Sequence, residues 1–157
     1  MKRQNESQLQ IACVRWFRAQ YPYLAALLYH PRNEAHEYSR RIAIDAAAGV
    51  VPGVADLVLA LPGAFNGKLT HSLGIELKYG RNKQSEAQKN FQRFYTAAGS
   101  AYAVVYSLDE FINTIQKYLD MTPRAVLVQV KKVYNDIERE ELEAAKARFQ
   151  KLLNKNE

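Results

Sequence analysis

Two apolar runs, at about 56 to 61 and about 73 to 79, are short, bounded by turn residues and rich enough in Leu, Ile and Val to be core strands, yet both carry charge. Asp56 opens the first, ahead of Leu57-Val58-Leu59-Ala60-Leu61, and Glu76 and Lys78 alternate with Ile75, Leu77 and Tyr79 in the second. Successive side chains in a strand point to opposite faces, so Glu76 and Lys78 share one face and Asp56 shares its own with Val58 and Ala60. Charged groups are almost never fully buried unless they are paired or hold a metal. Two carboxylates and an ammonium on core strands therefore predict a site, and a divalent cation is the simplest compensating charge. The competing reading is a structural ion pair at a strand end.

The pattern around these strands is mixed α/β. Leu9, Ala12, Cys13, Trp16 and Phe17 recur at helical spacing, which predicts an amphipathic helix over about 5 to 20, with Glu6 in its first turn and Pro22 closing it. Leu24 to His30 reads as a short edge strand, Pro31 to Tyr38 as a polar loop, and Ser39 to Ala48 as an alanine-rich helix ending at Gly49. Pro52-Gly53 marks a turn ahead of Asp56. Pro62 to Gly67 predicts a loosely looped hairpin joining the two charged strands. Ser85 to Gln88 and Ser107 to Glu110 each fit a capping box opening a helix, and Ala101 to Tyr106 between them reads as a buried strand. Strand, helix, strand with short connections implies a crossover, hence a mixed sheet with helices packed on it. After Met121-Thr122-Pro123 the pattern changes. Val126 to Val130 suits a strand or a helix, and Asp136 to Asn154 reads as a charged helix, so a domain over residues 1–120 is expected to carry a mostly helical extension over 121–157 that packs in cis or on a second copy.

Composition excludes several classes. One cysteine, Cys13, rules out an internal disulfide and a multi-cysteine zinc site and suits a reducing, cytoplasmic setting; His30, His36 and His71 lack zinc-ligand spacing. No run approaches the roughly 18 apolar residues of a membrane span. The net charge of +6 is unevenly placed: up to Leu119 there are 14 Lys/Arg against 9 Asp/Glu, and from Asp120 onward 8 against 7. A phosphate backbone is expected on the first part.

Hydrolysis of a phosphodiester needs a nucleophilic water, a cation to neutralise the phosphoryl oxygens, and groups that place both. Mg²⁺ or Mn²⁺ favours oxygen ligands, and Mg²⁺ keeps several waters, so Asp56, Glu76 and the Leu77 carbonyl between the site residues form a plausible sparse shell. Lys78 beside it can hold or help deprotonate the attacking water. Glu6 can add a third carboxylate, although an acid in a helix first turn needs no other explanation. Arg81, Lys83, Lys89 and Arg93 are expected phosphate contacts, a solvated charged face being the alternative.

The stretch Gly49 to Leu59 with Asp56, then Gly74-Ile75-Glu76-Leu77-Lys78, then Ser85-Glu86-Ala87-Gln88, resembles the VRR-NUC branch of the PD-(D/E)xK nuclease superfamily, in motif order over roughly Glu6 to Leu119. The resemblance implies a restriction-endonuclease-like mixed sheet flanked by helices and metal-dependent cleavage of DNA by Asp56, Glu76 and Lys78. It also matches Glu6 to the early-helix acid and Gln88 to the glutamine after the lysine strand, and it implies phosphate or backbone contact by the polar stretch containing His30, Arg32 and Asn33. The family's proline before the aspartate is Ala55 here. Stand-alone members resemble enzymes that cut four-way (Holliday) junctions, and cutting a two-fold junction at paired positions calls for a homodimer. A 5′-flap substrate is the enzymatic alternative, and a non-catalytic nucleic-acid-binding module on a nuclease fold is the alternative from another class.

Overall fold

The structure is a computed structural model and describes residues 5–31 and 44–153. It divides into two compact units, Met1–Thr122 and Pro123–Glu157.

In the first unit, helix α1 (Glu6–Gln20) starts on a capping box in which Asn5 accepts from the Gln8 amide at 2.9 Å and the Gln8 side chain accepts from the Asn5 amide at 3.3 Å. Its four-residue period buries Leu9, Cys13 and Phe17. Where an edge strand from Leu24 is expected, Pro22–Leu27 is instead a 3-10 helix, because proline at its first position pre-sets a helical φ and buried Leu24 anchors the turn. Only Leu28–Tyr29 remain as strand β1, which does form the sheet edge. Of the expected helix over 39 to 48, residues 44–47 are helical, Ala48 is in a turn and Gly49 follows in the left-handed region; residues 39–43 lie outside the described residues, as does most of the expected loop from Pro31.

Strands β2 (Leu57–Leu59) and β5 (Leu73–Leu77) pair antiparallel, with Leu57 opposite Ile75, and together with β1 and β6 (Ala101–Val105) make a sheet of order β1-β2-β5-β6. The connection between β2 and β5 is not a loose loop. It folds into a separate ribbon, β3 (Gly63–Phe65) and β4 (Lys68–Thr70), across the two-residue turn Asn66-Gly67. Both turn residues have positive φ, 50° and 76°, as a tight hairpin matching the strand twist requires. Tyr118 holds this ribbon down, donating to the Leu61 carbonyl at 2.8 Å and bonding Thr70 Oγ1 at 3.0 Å.

Helix α2 (Glu86–Ala97) crosses between β5 and β6, which run parallel, so the sheet is mixed and flanked by helices. Tyr102 meets Phe91 and Tyr95 of α2, placing that helix on the face shared by Gly74 and Glu76. Helix α3 (Leu108–Asp120) meets α1 edge-on through Phe111 and Trp16. Its predicted capping box is half formed: Ser107 accepts from the Glu110 amide, but the Glu110 carboxylate reaches the Tyr106 amide one residue beyond the cap. Every residue of β5 is buried, as expected of a central strand covered on both faces.

Cys13 is fully buried, and burial pushes its thiol up to about 12 from 9.0. Iodoacetamide at mildly alkaline pH should therefore label it only on unfolding. Above pH 9.0 the unfolded chain loses this proton while the folded chain keeps it, so stability should fall as pH rises beyond that point; mass spectrometry of labelled protein and alkaline denaturation curves measure the two effects.

The second unit is helix α4 (Arg124–Leu153), 30 residues long. Val126 to Val130, ambiguous from sequence, belongs to it: β-branching disfavours a helix by only tenths of a kcal/mol per residue, and the apolar positions continue at a spacing of three and four. Among the described residues, no helix is long and apolar enough to cross a membrane.

Candidate active site

The carboxyl end of β5 organises the site. Lys78 continues the ladder, its amide donating to the Val105 carbonyl at 2.9 Å, so the two-residue alternation carries past the strand end. Its ammonium lies 2.6 Å from Glu76 Oε1, with Lys78 5% exposed and Glu76 0%. Gln88 donates to the same oxygen, and the Tyr102 hydroxyl donates to Glu76 Oε2 at 3.1 Å. Three donors, from the residue just past β5, from α2 and from β6, thus fix one carboxylate. Gln88 performs its capping role as well, its Oε1 accepting from the Ser85 amide at 2.8 Å. The first turn of α2 is thereby tied to the site strand by one side chain that both caps the helix and bonds Glu76.

Asp56 stands just before β2. Its Oδ2 accepts from the Leu77 amide at 2.7 Å, which places the carboxylate against the backbone between Glu76 and Lys78. Its own carbonyl accepts from His30 Nδ1 at 2.6 Å; a carbonyl cannot donate, so the proton is on Nδ1. Glu6 comes from α1 and accepts from Asn82 Nδ2 at 2.9 Å and the Tyr79 amide at 3.4 Å. These elements surround an open cleft of about 320 Å³, lined by Glu6, His30, Gly53, Asp56, Leu77 and Gln88 among others. Glu76 and Lys78 lie behind the cleft wall rather than on it, joined to it by Gln88.

Among the described residues, acids outnumber cations at this strand end. Burial raises the Asp56 carboxyl above its ordinary value despite the Leu77 amide and the Lys78 charge, and Glu6 adds to the rise. Burial raises Glu76 too, against the Lys78 hydrogen bond, with the Asp56 charge adding. For Lys78 burial pulls downward, but the hydrogen bond and charge of Glu76, then Glu6 and Asp56, prevail and raise it. Lys78 is thus held in an ion pair with Glu76. Of the three acids, Glu76 pairs with the Lys78 ammonium, and Glu6 and Asp56 act on it through charge alone. Among the described residues no three carboxylate, imidazole or thiol groups cluster closely enough to form a ready-made cage. A sparse set of hard oxygen donors suits a cation that keeps most of its waters.

This imbalance has a stability consequence. Above the ordinary values of 3.8 and 4.5, and up to their raised folded values, Asp56 and Glu76 keep protons that the unfolded chain has lost, so stability contributed by these groups falls as pH rises through that window. Asp56→Asn keeps an acceptor for the Leu77 amide and removes the charge. It should raise the thermal midpoint at neutral pH by a few degrees, with the gain shrinking at acid pH, as thermal melts at the two pH values would measure.

Of the expected phosphate contacts, Arg81 and Lys83 are exposed on the β5–α2 connection and Lys89 and Arg93 are exposed on α2. None lines the cleft, and Lys89 pairs with Glu86 at 2.6 Å. Arg32 and Asn33 lie outside the described residues. Three supports went unread in the sequence. Tyr102 had a signal, since a tyrosine in a strand otherwise of alanine and valine, buried over most of its length, needs a hydroxyl partner. Asn82 had none, because its partner Glu6 is 76 positions away. Gly53 was read as a turn only, but a Cβ there would stand 2.4 Å from the Ala87 carbonyl carbon, so its missing side chain lets the Asp56 loop touch the start of α2.

A mixed sheet flanked by helices, with acids and a lysine gathered at the end of a central strand, defines the class of fold. A solved structure of a VRR_NUC domain protein matches this chain with a TM-score of 0.65 and 23% identity, covering 78% of this chain and 93% of that one. The chain therefore has the fold of a VRR_NUC domain protein. No family model and no curated protein matches it.

Proposed function

We propose that this chain is a metal-dependent nuclease that hydrolyses phosphodiester bonds in DNA and selects its substrate by shape, with branched DNA such as a four-way junction the expected target. The observation carrying this reading is that Glu6 and Asp56 line an open cleft, with Glu76 paired to Lys78 behind its wall, and that burial holds Asp56 and Glu76 above their ordinary values. Among the described residues such a set is short of positive charge, which a divalent cation would supply.

Asp56 and Glu76 would hold Mg²⁺ or Mn²⁺, with the Leu77 carbonyl and Glu6 as the further oxygen donors. The cation supplies neutralisation of the phosphoryl oxygens and a water acidic enough to attack at neutral pH. Asp56 is aimed by the Leu77 amide and Glu76 by Gln88 and Tyr102, so neither carboxylate has to be ordered at the moment of reaction. Lys78, kept protonated by its acidic neighbours, holds the attacking water and steadies charge developing on the phosphate. Arg81, Lys83 and Arg93 contact the DNA backbone, and Lys89 contributes less because it already has Glu86. Two-fold junction cleavage at paired positions requires two such sites, hence two copies.

The fully engaged Glu76 carboxylate favours one other reading, a binding module on the same fold with no chemistry. A panel of duplex, single-strand, 5′-flap and four-way-junction DNAs, incubated with Mg²⁺ or Mn²⁺ and with EDTA, separates the two. Metal-dependent scission supports the nuclease, and binding to every DNA without scission of any refutes it. Affinity should also drop with salt, with a log-log slope of roughly −0.9 for each phosphate neutralised on duplex DNA. Arg81→Ala should flatten that slope by about one unit, measured by fluorescence anisotropy across a salt series.

A further inference from the structure

Helix α4 is a unit without a core. Its 30 residues span about 45 Å at 1.5 Å each, and a single helix in water draws most of its stability from packing an apolar face. None of its described residues is buried, and Ile137 is 49% exposed. Leu127, Val130, Tyr134, Ile137, Glu141 and Ala144 follow one another at alternating spacings of three and four, the repeat of a coiled-coil seam. The ion pairs on the helix agree with that seam: Asp136–Arg139 and Glu143–Lys146, both at 2.8 Å, fall at the positions such a repeat turns outward.

Charge selects the occupant and its direction. From Arg124 to Tyr134 the helix carries Arg124, Lys131 and Lys132 and no acid; the next stretch carries Asp136, Glu138, Glu140, Glu141 and Glu143 against Arg139 alone. A parallel, in-register pair would set like block beside like block. Reversing one copy lays the basic block on the acidic one, with Tyr134 opposite Ile137 at the centre and Lys131 flanking Glu138 of the second copy.

We propose that α4 is a homotypic docking surface, pairing with the α4 of a second copy in an antiparallel two-helix coiled coil. This deepens the two-copy part of the proposed function, and its test reads assembly rather than cleavage, so either can fail without the other. Glu141 interrupts the seam, which costs affinity and helps select the register.

Sedimentation of the full chain over a hundredfold concentration range tests it. A dimer that dissociates on dilution is expected, with Ile137→Asp monomeric throughout. Lys131→Glu should weaken association by about tenfold, since like charges then meet twice across the two-fold axis, and Lys131→Glu combined with Glu138→Lys should restore it. A spin label at Ala125→Cys should report a separation of roughly 30 Å, from 21 residues of helix rise, against roughly 10 Å for a parallel pair. A monomer at every concentration, a dimer indifferent to Ile137→Asp, failure of the double reversal to restore affinity, or the short spin-label distance would each overturn the proposal.

Discussion

Glu76→Ala should reduce DNA strand scission by at least about 10²-fold while DNA binding persists, because on the proposed function the change removes one preorganised electrostatic group from the reacting centre and none from the exposed basic surface. The same substitution strips Lys78 of its buried counterion and leaves the Gln88 and Tyr102 donors without an acceptor. Breaking a buried ion pair from one side costs about 3–5 kcal/mol, so a loss of activity has to be separated from a loss of fold. Two controls make the separation. Glu76→Gln keeps a carbonyl oxygen as acceptor and should be as inactive, and protection of Cys13 from alkylation reports whether the core is intact. Single-turnover cleavage and anisotropy on the same branched DNA give the two quantities. Scission by Glu76→Gln at the native rate would remove this carboxylate from the chemistry.

Gly53→Ala should be the most damaging single change outside the charged cluster. Gly53 has φ +81°, a left-handed conformation that costs an L-residue roughly 1–2 kcal/mol. The added Cβ would also stand 2.4 Å from Ala87 C and 2.5 Å from Gln88 N, and both are backbone atoms of the first turn of α2. Neither can swing aside as a flexible side chain would. A total destabilisation of about 3 kcal/mol or more is expected, comparable to other strained or overpacked core sites. The separation forced between the Asp56 loop and α2 should also draw Gln88 away from Glu76, so activity should fall more than stability alone explains. Urea denaturation and cleavage measured well below the melting transition would test the two parts. A variant with native stability would mean that the loop and helix can separate without penalty.

How far the site could be read in advance depended on how local its causes are. Alternation along β5 alone puts Glu76 and Lys78 on one face, and the ion pair at 2.6 Å follows from that two-residue spacing. The Ser85–Gln88 cap was equally legible, since both its bonds run between residues three apart. Pro22 to Leu27 misled because a run of leucine and alanine carries no period that separates strand from helical turn, and the proline at its head decided the matter. The Asn66-Gly67 dipeptide is a strong hairpin signal, but it sits inside a longer stretch of turn residues that also fits a loose loop.

Chain order and side-chain periodicity were enough to specify a mixed sheet, a βαβ crossover and a charged strand end, because each arises from neighbours within a few residues. The approach of Asp56 to the Leu77 amide, of Glu6 to Asn82 and of Tyr102 to Glu76 came from folding, since each joins residues more than twenty positions apart whose meeting depends on how the sheet and helices pack. The withdrawal of Glu76 behind the cleft wall has the same origin: alternation states which face a side chain takes, and the packing of α2 on that face states how deeply it is covered.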